Sequence, residues 1–103
     1  MYIEEVVWLS SDNTFEVGLF VKKAAIEDHS LITRAQLFLN SGTIDSNINP
    51  EFFDLTKKDR IILKLGDAGL ALGKHSGKLK TFDADNPSGI VWPTPIVLEV
   101  SDV

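Results

Sequence analysis

Cysteine is absent from the chain, which excludes disulfides, thiolate nucleophiles and cysteine metal sites together, so the folded state rests on packing. Histidine occurs only at 29 and 75, leaving few imidazoles for acid–base work. No apolar run approaches the ~20 residues that a membrane-spanning helix needs, so no membrane partner is expected. Basic side chains are the minority, 10 against 15 acidic, for a formal charge of −5. A surface of that sign repels phosphate. Local basic groups are limited to Lys22-Lys23, Lys57-Lys58 and the spaced Lys74, Lys78 and Lys80, so no nucleic-acid partner is expected either. The start of the chain carries Glu4 and Glu5 where a secretory signal has basic residues, and its apolar run stops at Leu9. The expectation is an intracellular site of synthesis and a soluble product.

What is present is ordinary for a globular domain: 103 residues, 44% apolar and 24% charged. A chain of this length is expected to form a single domain, residues 1–103, burying somewhat under roughly 70% of its unfolded surface. Residues 4–9 are rich in β-formers and end at the turn-forming Ser10, Ser11, Asp12 and Asn13. Residues 14–23 alternate, with Phe15, Val17, Leu19 and Val21 on one face and Glu16, Gly18, Phe20 and Lys22 on the other. These two stretches are expected to be antiparallel neighbours. Residues 24–29 have room for no more than about one to two helical turns and read as a connector.

Alternation resumes at residues 30–39, placing Leu31, Thr33, Ala35, Leu37 and Leu39 opposite Ile32, Arg34, Gln36 and Phe38. Asn40-Ser41-Gly42 then forms a turn before a short return strand at 43–45. Pro50 interrupts the pattern, and residues 51–55 suit either a short strand or a single turn. Residues 59–83 constrain the fold most. Ile61, Leu63 and Leu65 share a face, Gly66 and Gly69 can take the positive φ of a corner, and Leu79 and Thr81 alternate with Lys78, Lys80 and Phe82. The last run, 90–100, is split by Pro93 and Pro95, which belong on an edge or a bulge. Seven or so short strands with frequent turn signals are the signature of an all-β sandwich or barrel, and an antiparallel sandwich is the fold expected here. Its core is expected to contain Val17, Leu19, Ala35, Leu37, Leu39, Ile61, Leu63, Leu65, Leu79, Ile96 and Leu98.

Residues 61–66, I-I-L-K-L-G, followed by 73–79, G-K-H-S-G-K-L, resemble the strand–corner–strand region of an immunoglobulin-like sandwich. In that family a Gly or Asp stands two residues before a corner tyrosine, and a small residue or Cys two after it. Gly73, His75 and Gly77 occupy those places here, with His75 where tyrosine is expected and no cysteine pair. The pieces T-I-D-S at 43–46, F-D-L at 53–55, K-L-G at 64–66 and G-I-V-W at 89–92 together resemble small immunoglobulin-like proteins of tailed bacteriophages and prophages. The resemblance spans residues 32–100. It implies a non-enzymatic structural or assembly subunit, made in the cytoplasm of a bacterial host and assembled into a virion by contact with a larger virion component.

Candidate chemistry is sparse. His29 and His75 fall in different connections, and no nucleophile or carboxylate stands at a recognised spacing from either. A structural bond from the His75 ring to a carbonyl across the corner explains that residue better than catalysis. Asp83, Asp85 and Asn86 suggest calcium, but Pro87, Gly89 and Thr94 occupy the fifth, seventh and twelfth loop places, the last where a bidentate Glu is wanted. Turn formation accounts for them equally well. Gly66, Gly69 and Gly73 lack the spacing of a phosphate loop. Adjacent Glu4 and Glu5, and Glu27 and Asp28, read as solvated charge. No catalytic, cofactor-binding or metal-binding residue is therefore expected.

Trp8 and Trp92 are the most informative bulky side chains, and one is expected to fill the core. An exposed Trp92 beside Pro93 and Pro95 would form an interaction surface for protein or, as a stacking platform, for sugar. A carbohydrate-binding or adhesion module is thus the second reading. Unpaired edge strands also allow a homo-oligomer.

Overall fold

The computed structural model describes residues 3–21, 24–25 and 28–102. Lys22, Lys23 and Glu27, named above for their charge, lie outside the described residues. Among those described, the strands are β1 (Ile3–Trp8), β2 (Phe15–Val17), β3 (Phe20–Val21), β4 (Ala24–Ala25), β5 (Arg34–Leu39), β6 (Gly42–Asp45), β7 (Phe53–Asp54), β8 (Ile61–Leu63), β9 (Gly73–Phe82), β10 (Ile90–Val91) and β11 (Ile96–Ser101). Two single 3₁₀ turns, His29–Leu31 and Pro50–Phe52, complete the regular structure.

The result is an all-β sandwich. The larger sheet runs β1-β11-β9-β5-β6, with β10 also on β9; the smaller runs β2-β8-β7, and β3 pairs with β4 alone. All eleven expected core residues are buried, joined by Val7, Phe15, Ile32, Ile44 and Val100. Alternation produces this directly. Ala35, Leu37 and Leu39 from β5, Leu79 from β9 and Ile96, Leu98 and Val100 from β11 face Phe15 and Val17 of β2 and Ile61 and Leu63 of β8. Each full burial of a large aliphatic chain is worth about 1.5–3 kcal/mol, which is how a chain without disulfides holds two sheets together.

Strand partners differ from the sequence expectation in two places. β1 is not an antiparallel neighbour of β2: it lies parallel to β11, from Ile3 opposite Ile96 to Trp8 opposite Ser101, whereas β2 crosses to the other sheet and pairs with β8. The sandwich is therefore not wholly antiparallel. Alternation specifies which face a residue buries, not which strand lies beside it. The continuous strand expected over 14–23 is also broken between β2 and β3, because the Leu19 amide turns away to the ring of His29. The expected facing fails before β5 begins: Ile32 is buried while Leu31 and Thr33 are exposed, since the 3₁₀ turn at His29–Leu31 takes these residues out of the alternation that starts at Arg34.

β9 begins at Gly73, five residues before the alternation legible from Lys78. Gly77 sits in the middle of it, between Leu39 of β5 and Ile96 of β11. A Cβ there would stand 1.6 Å from the Phe38 carbonyl oxygen, so only glycine lets the strands approach this closely. On the far side of β9, β10 ends with Val91 opposite Lys80 and β11 starts with Ile96 opposite Gly77. Four residues, 92–95, thus stand opposite two, Lys78 and Leu79. The ladder cannot absorb them flat, and Pro93 and Pro95 supply no donor to it, so this piece bulges away from the sheet.

Candidate functional site

The bulge positions Trp92. Its backbone amide still donates to the Leu79 carbonyl at 2.9 Å, while its indole Nε1 donates to Thr81 Oγ1 at 2.8 Å. Thr81 is buried, and this bond gives its hydroxyl a partner. The indole packs half-buried against the core. Trp8, by contrast, projects from the outer face of β1 and is 39% exposed, next to the exposed Val6. The larger part of the core-filling role thus falls to Trp92.

The Trp92 ring stands between two cavities. On one side is a groove of about 280 Å³, with Ile3, Val17, Leu79 and Ile96 among its lining and Phe20 and Pro93 at its rim. Phe20 is 59% exposed, a bulky apolar ring turned to solvent. Glu16 is the charged side chain of this groove, and it pairs with Arg60 at 3.2 Å. On the other side a cavity of about 440 Å³ combines apolar Leu31, Ile32 and Ile90 with Asp28, Asp83 and Asp85. Asp28 and Asp83 serve their own loops. Asp83 Oδ1 accepts from the Asp85 and Asn86 amides, each at 2.9 Å, and Asp28 accepts from the Ser30 hydroxyl and amide, which holds its carboxyl below the usual range. Among the described residues no group of three or more His, Asp or Glu is arranged to hold a metal ion.

Of the residues expected at an interaction surface, Trp92 and Pro93 meet at the groove. Pro95 does not join them. It lies beside Phe38 and Lys78 on a separate shallow depression, and its carbonyl accepts the Ile3 amide at 2.8 Å, tying the start of β1 to the bulge.

Gly73, His75 and Gly77 lie along β9. His75 is buried, with Nε2 2.7 Å from the Ala71 carbonyl oxygen four residues upstream and Nδ1 2.6 Å from Ser41 Oγ. Sequence reading missed Ser41 as a partner. The two are 34 residues apart, and only the docking of the β5–β6 hairpin tip on β9 joins them, through the Asn40 amide on the Ser76 carbonyl at 2.8 Å and the Ser76 amide on Asn40 Oδ1 at 3.2 Å.

His29 was likewise unassigned by pattern. It is wholly buried, accepts the Leu19 amide on Nε2 at 3.0 Å, and has Nδ1 2.8 Å from the Lys58 carbonyl. An amide can only donate, so Nε2 is the acceptor and Nδ1–H the donor of a neutral ring. That bond anchors Leu19, which lines the groove, immediately before Phe20 at its rim.

An all-β sandwich carrying an apolar groove beside a proline-marked bulge is the class that fold and site define. Comparison with family models, with curated proteins and with solved structures gives no match to this chain.

Proposed function

We propose that the protein is a non-enzymatic assembly subunit that docks on a larger protein through the groove rim formed by Phe20, Trp92 and Pro93. The observation that carries this reading is the rim itself: apolar side chains, one of them 59% exposed, bordering a groove of about 280 Å³ on a chain of formal charge −5. Solvent-facing apolar surface of this kind is a feature of protein contact sites, and acidic charge elsewhere keeps such a subunit dispersed before assembly. The immunoglobulin-like character of the sandwich and the setting, a particle of a tailed phage or prophage, come from the resemblance of residues 32–100, and belong to the same proposal. Purified particles from the host, analysed by quantitative mass spectrometry, test it. The protein is expected in the particles at a fixed stoichiometry, and Phe20→Asp is expected to leave it in the soluble fraction. Absence of the wild-type protein from particles overturns the reading.

A second reading, carbohydrate binding, is favoured by one observation: Trp8 is exposed beside Val6 on the outer face of β1, as a stacking platform requires. Glycan titration followed by tryptophan fluorescence separates the two. A saturable change that Trp8→Ala removes supports sugar binding, and protection of both tryptophans from acrylamide removes the platform.

A further inference from the structure

We propose that Ser41 is a nucleophilic serine, activated by His75 to accept acyl groups from activated esters. The inference is independent of the docking surface, which lies around Trp92 and includes neither residue among its lining.

Three features support it. The carbonyl oxygen of Ala71, 2.7 Å from Nε2, can only accept, so in the neutral ring Nε2 carries the proton and Nδ1 presents a lone pair. That lone pair lies 2.6 Å from Ser41 Oγ, whose proton is thereby directed at the imidazole. The hydroxyl is on an exposed residue at the tip of the β5–β6 hairpin, between Leu39 and Gly42, which pair with each other, while the base is 6% exposed. A nucleophile within hydrogen-bond reach of a base, with the base oriented by a third group, is the arrangement on which covalent catalysis is built. Here the orienting group is a neutral carbonyl. It holds the tautomer without the charge a carboxylate would add.

The step balances within these groups and the ester. Ser41 Oγ attacks the acyl carbon and its proton passes to Nδ1 of His75. The bond from the acyl carbon to the leaving oxygen then breaks with its electron pair, and the imidazolium returns the proton to that oxygen. The products are an O-acyl serine and a free alcohol or phenol, with Nε2–H on the Ala71 carbonyl throughout. The acyl donor reaches Ser41 from solvent at a hairpin tip, and the proposed step ends at the acyl-serine.

The test uses the full chain with p-nitrophenyl acetate, reading p-nitrophenolate release and locating acetyl groups by peptide mass spectrometry. General-base assistance of this kind is worth about 10²–10⁴-fold. Ser41 is therefore expected to acetylate at least about 100-fold faster than the other serines, and Ser41→Ala to abolish that adduct. His75→Gln keeps one acceptor for the Ser41 hydroxyl and one donor for the Ala71 carbonyl but no base. It is expected to retain a cooperative melt and to lose the Ser41 adduct by about 100-fold. Equal labelling of all serines in the wild type overturns the proposal without reference to any variant. So does a Ser41 adduct that forms as fast in a folded His75→Gln protein, and so does acetylation confined to lysines or to His75.

Discussion

The Leu19 amide donates to Nε2 of His29 at 3.0 Å inside the protein, and that bond is what bends the chain between β2 and β3. The other ring nitrogen meets the Lys58 carbonyl at 2.8 Å, so one side chain bonds backbone groups from two separate segments. Replacing it by alanine strands the Leu19 amide and leaves a void, while the Lys58 carbonyl keeps the backbone amide of residue 29, 2.7 Å away. His29→Ala is expected to destabilise the protein by about 3 kcal/mol, from one orphaned buried donor and lost packing. Urea unfolding measures this. A loss below about 1 kcal/mol would show that water replaces the ring without cost.

Asp45 forms a forked pair with Arg34: Nε donates to Oδ1 at 3.0 Å and a terminal nitrogen donates to Oδ2. Gln36 Nε2 donates to Oδ2 at 2.8 Å and the Asn47 amide to Oδ1 at 2.9 Å. Charge-assisted bonds from Arg34 first, against the cost of burial, and then those from Asn47 and Gln36, hold the Asp45 carboxyl far below the usual range. Arg34 is itself placed by the Phe82 ring, 4.9 Å below its guanidinium. In the unfolded chain the carboxyl takes up its proton near pH 4, while in the folded chain it stays ionised, so the unfolded state binds more protons as pH falls. The stabilisation is complete above about pH 4 and is lost progressively below it. Melting temperature measured from pH 6 to pH 2 is expected to fall less steeply in Asp45→Asn than in the wild type. Parallel curves would sink this assignment.

Gly77→Ala is expected to be among the most damaging single substitutions in the larger sheet, because its Cβ would meet the Phe38 carbonyl oxygen at 1.6 Å and the Leu39 Cα at 2.9 Å. Both obstacles are backbone, so β5 and β9 would have to separate. A loss of more than about 3 kcal/mol, or failure to fold, is expected in thermal melts. Gly69→Ala, at a positive φ of 76° with open space around it, is expected to cost only about 1 kcal/mol. Similar losses at the two sites would contradict the close approach of the strands.

The core was legible residue by residue. A run such as Ala35, Leu37 and Leu39 buries every second position whatever strand lies beside it, and those residues are buried. The two prolines likewise announced the bulge, since neither can donate to a ladder. The site was legible only in part: Trp92 and Pro93 reach the groove, but Phe20, at its rim, read as a polar-face residue of a continuous strand. Nothing in its neighbours signals that His29 breaks that strand, because a ring bonding an amide ten residues away leaves no periodic trace.

The sequence alone determined the β class, the buried face of most strands and the places where the chain must turn, because these follow from side-chain alternation and from the backbone limits of glycine and proline. Only the tertiary structure decided the parallel pairing of β1 with β11, the passage of β2 to the opposite sheet, and the meetings of Ser41 with His75 and of Trp92 with Thr81. Each of those joins residues whose separation along the chain carries no repeating signal. Their distances are set by how two sheets close over one core, a property of the whole chain that no local window contains.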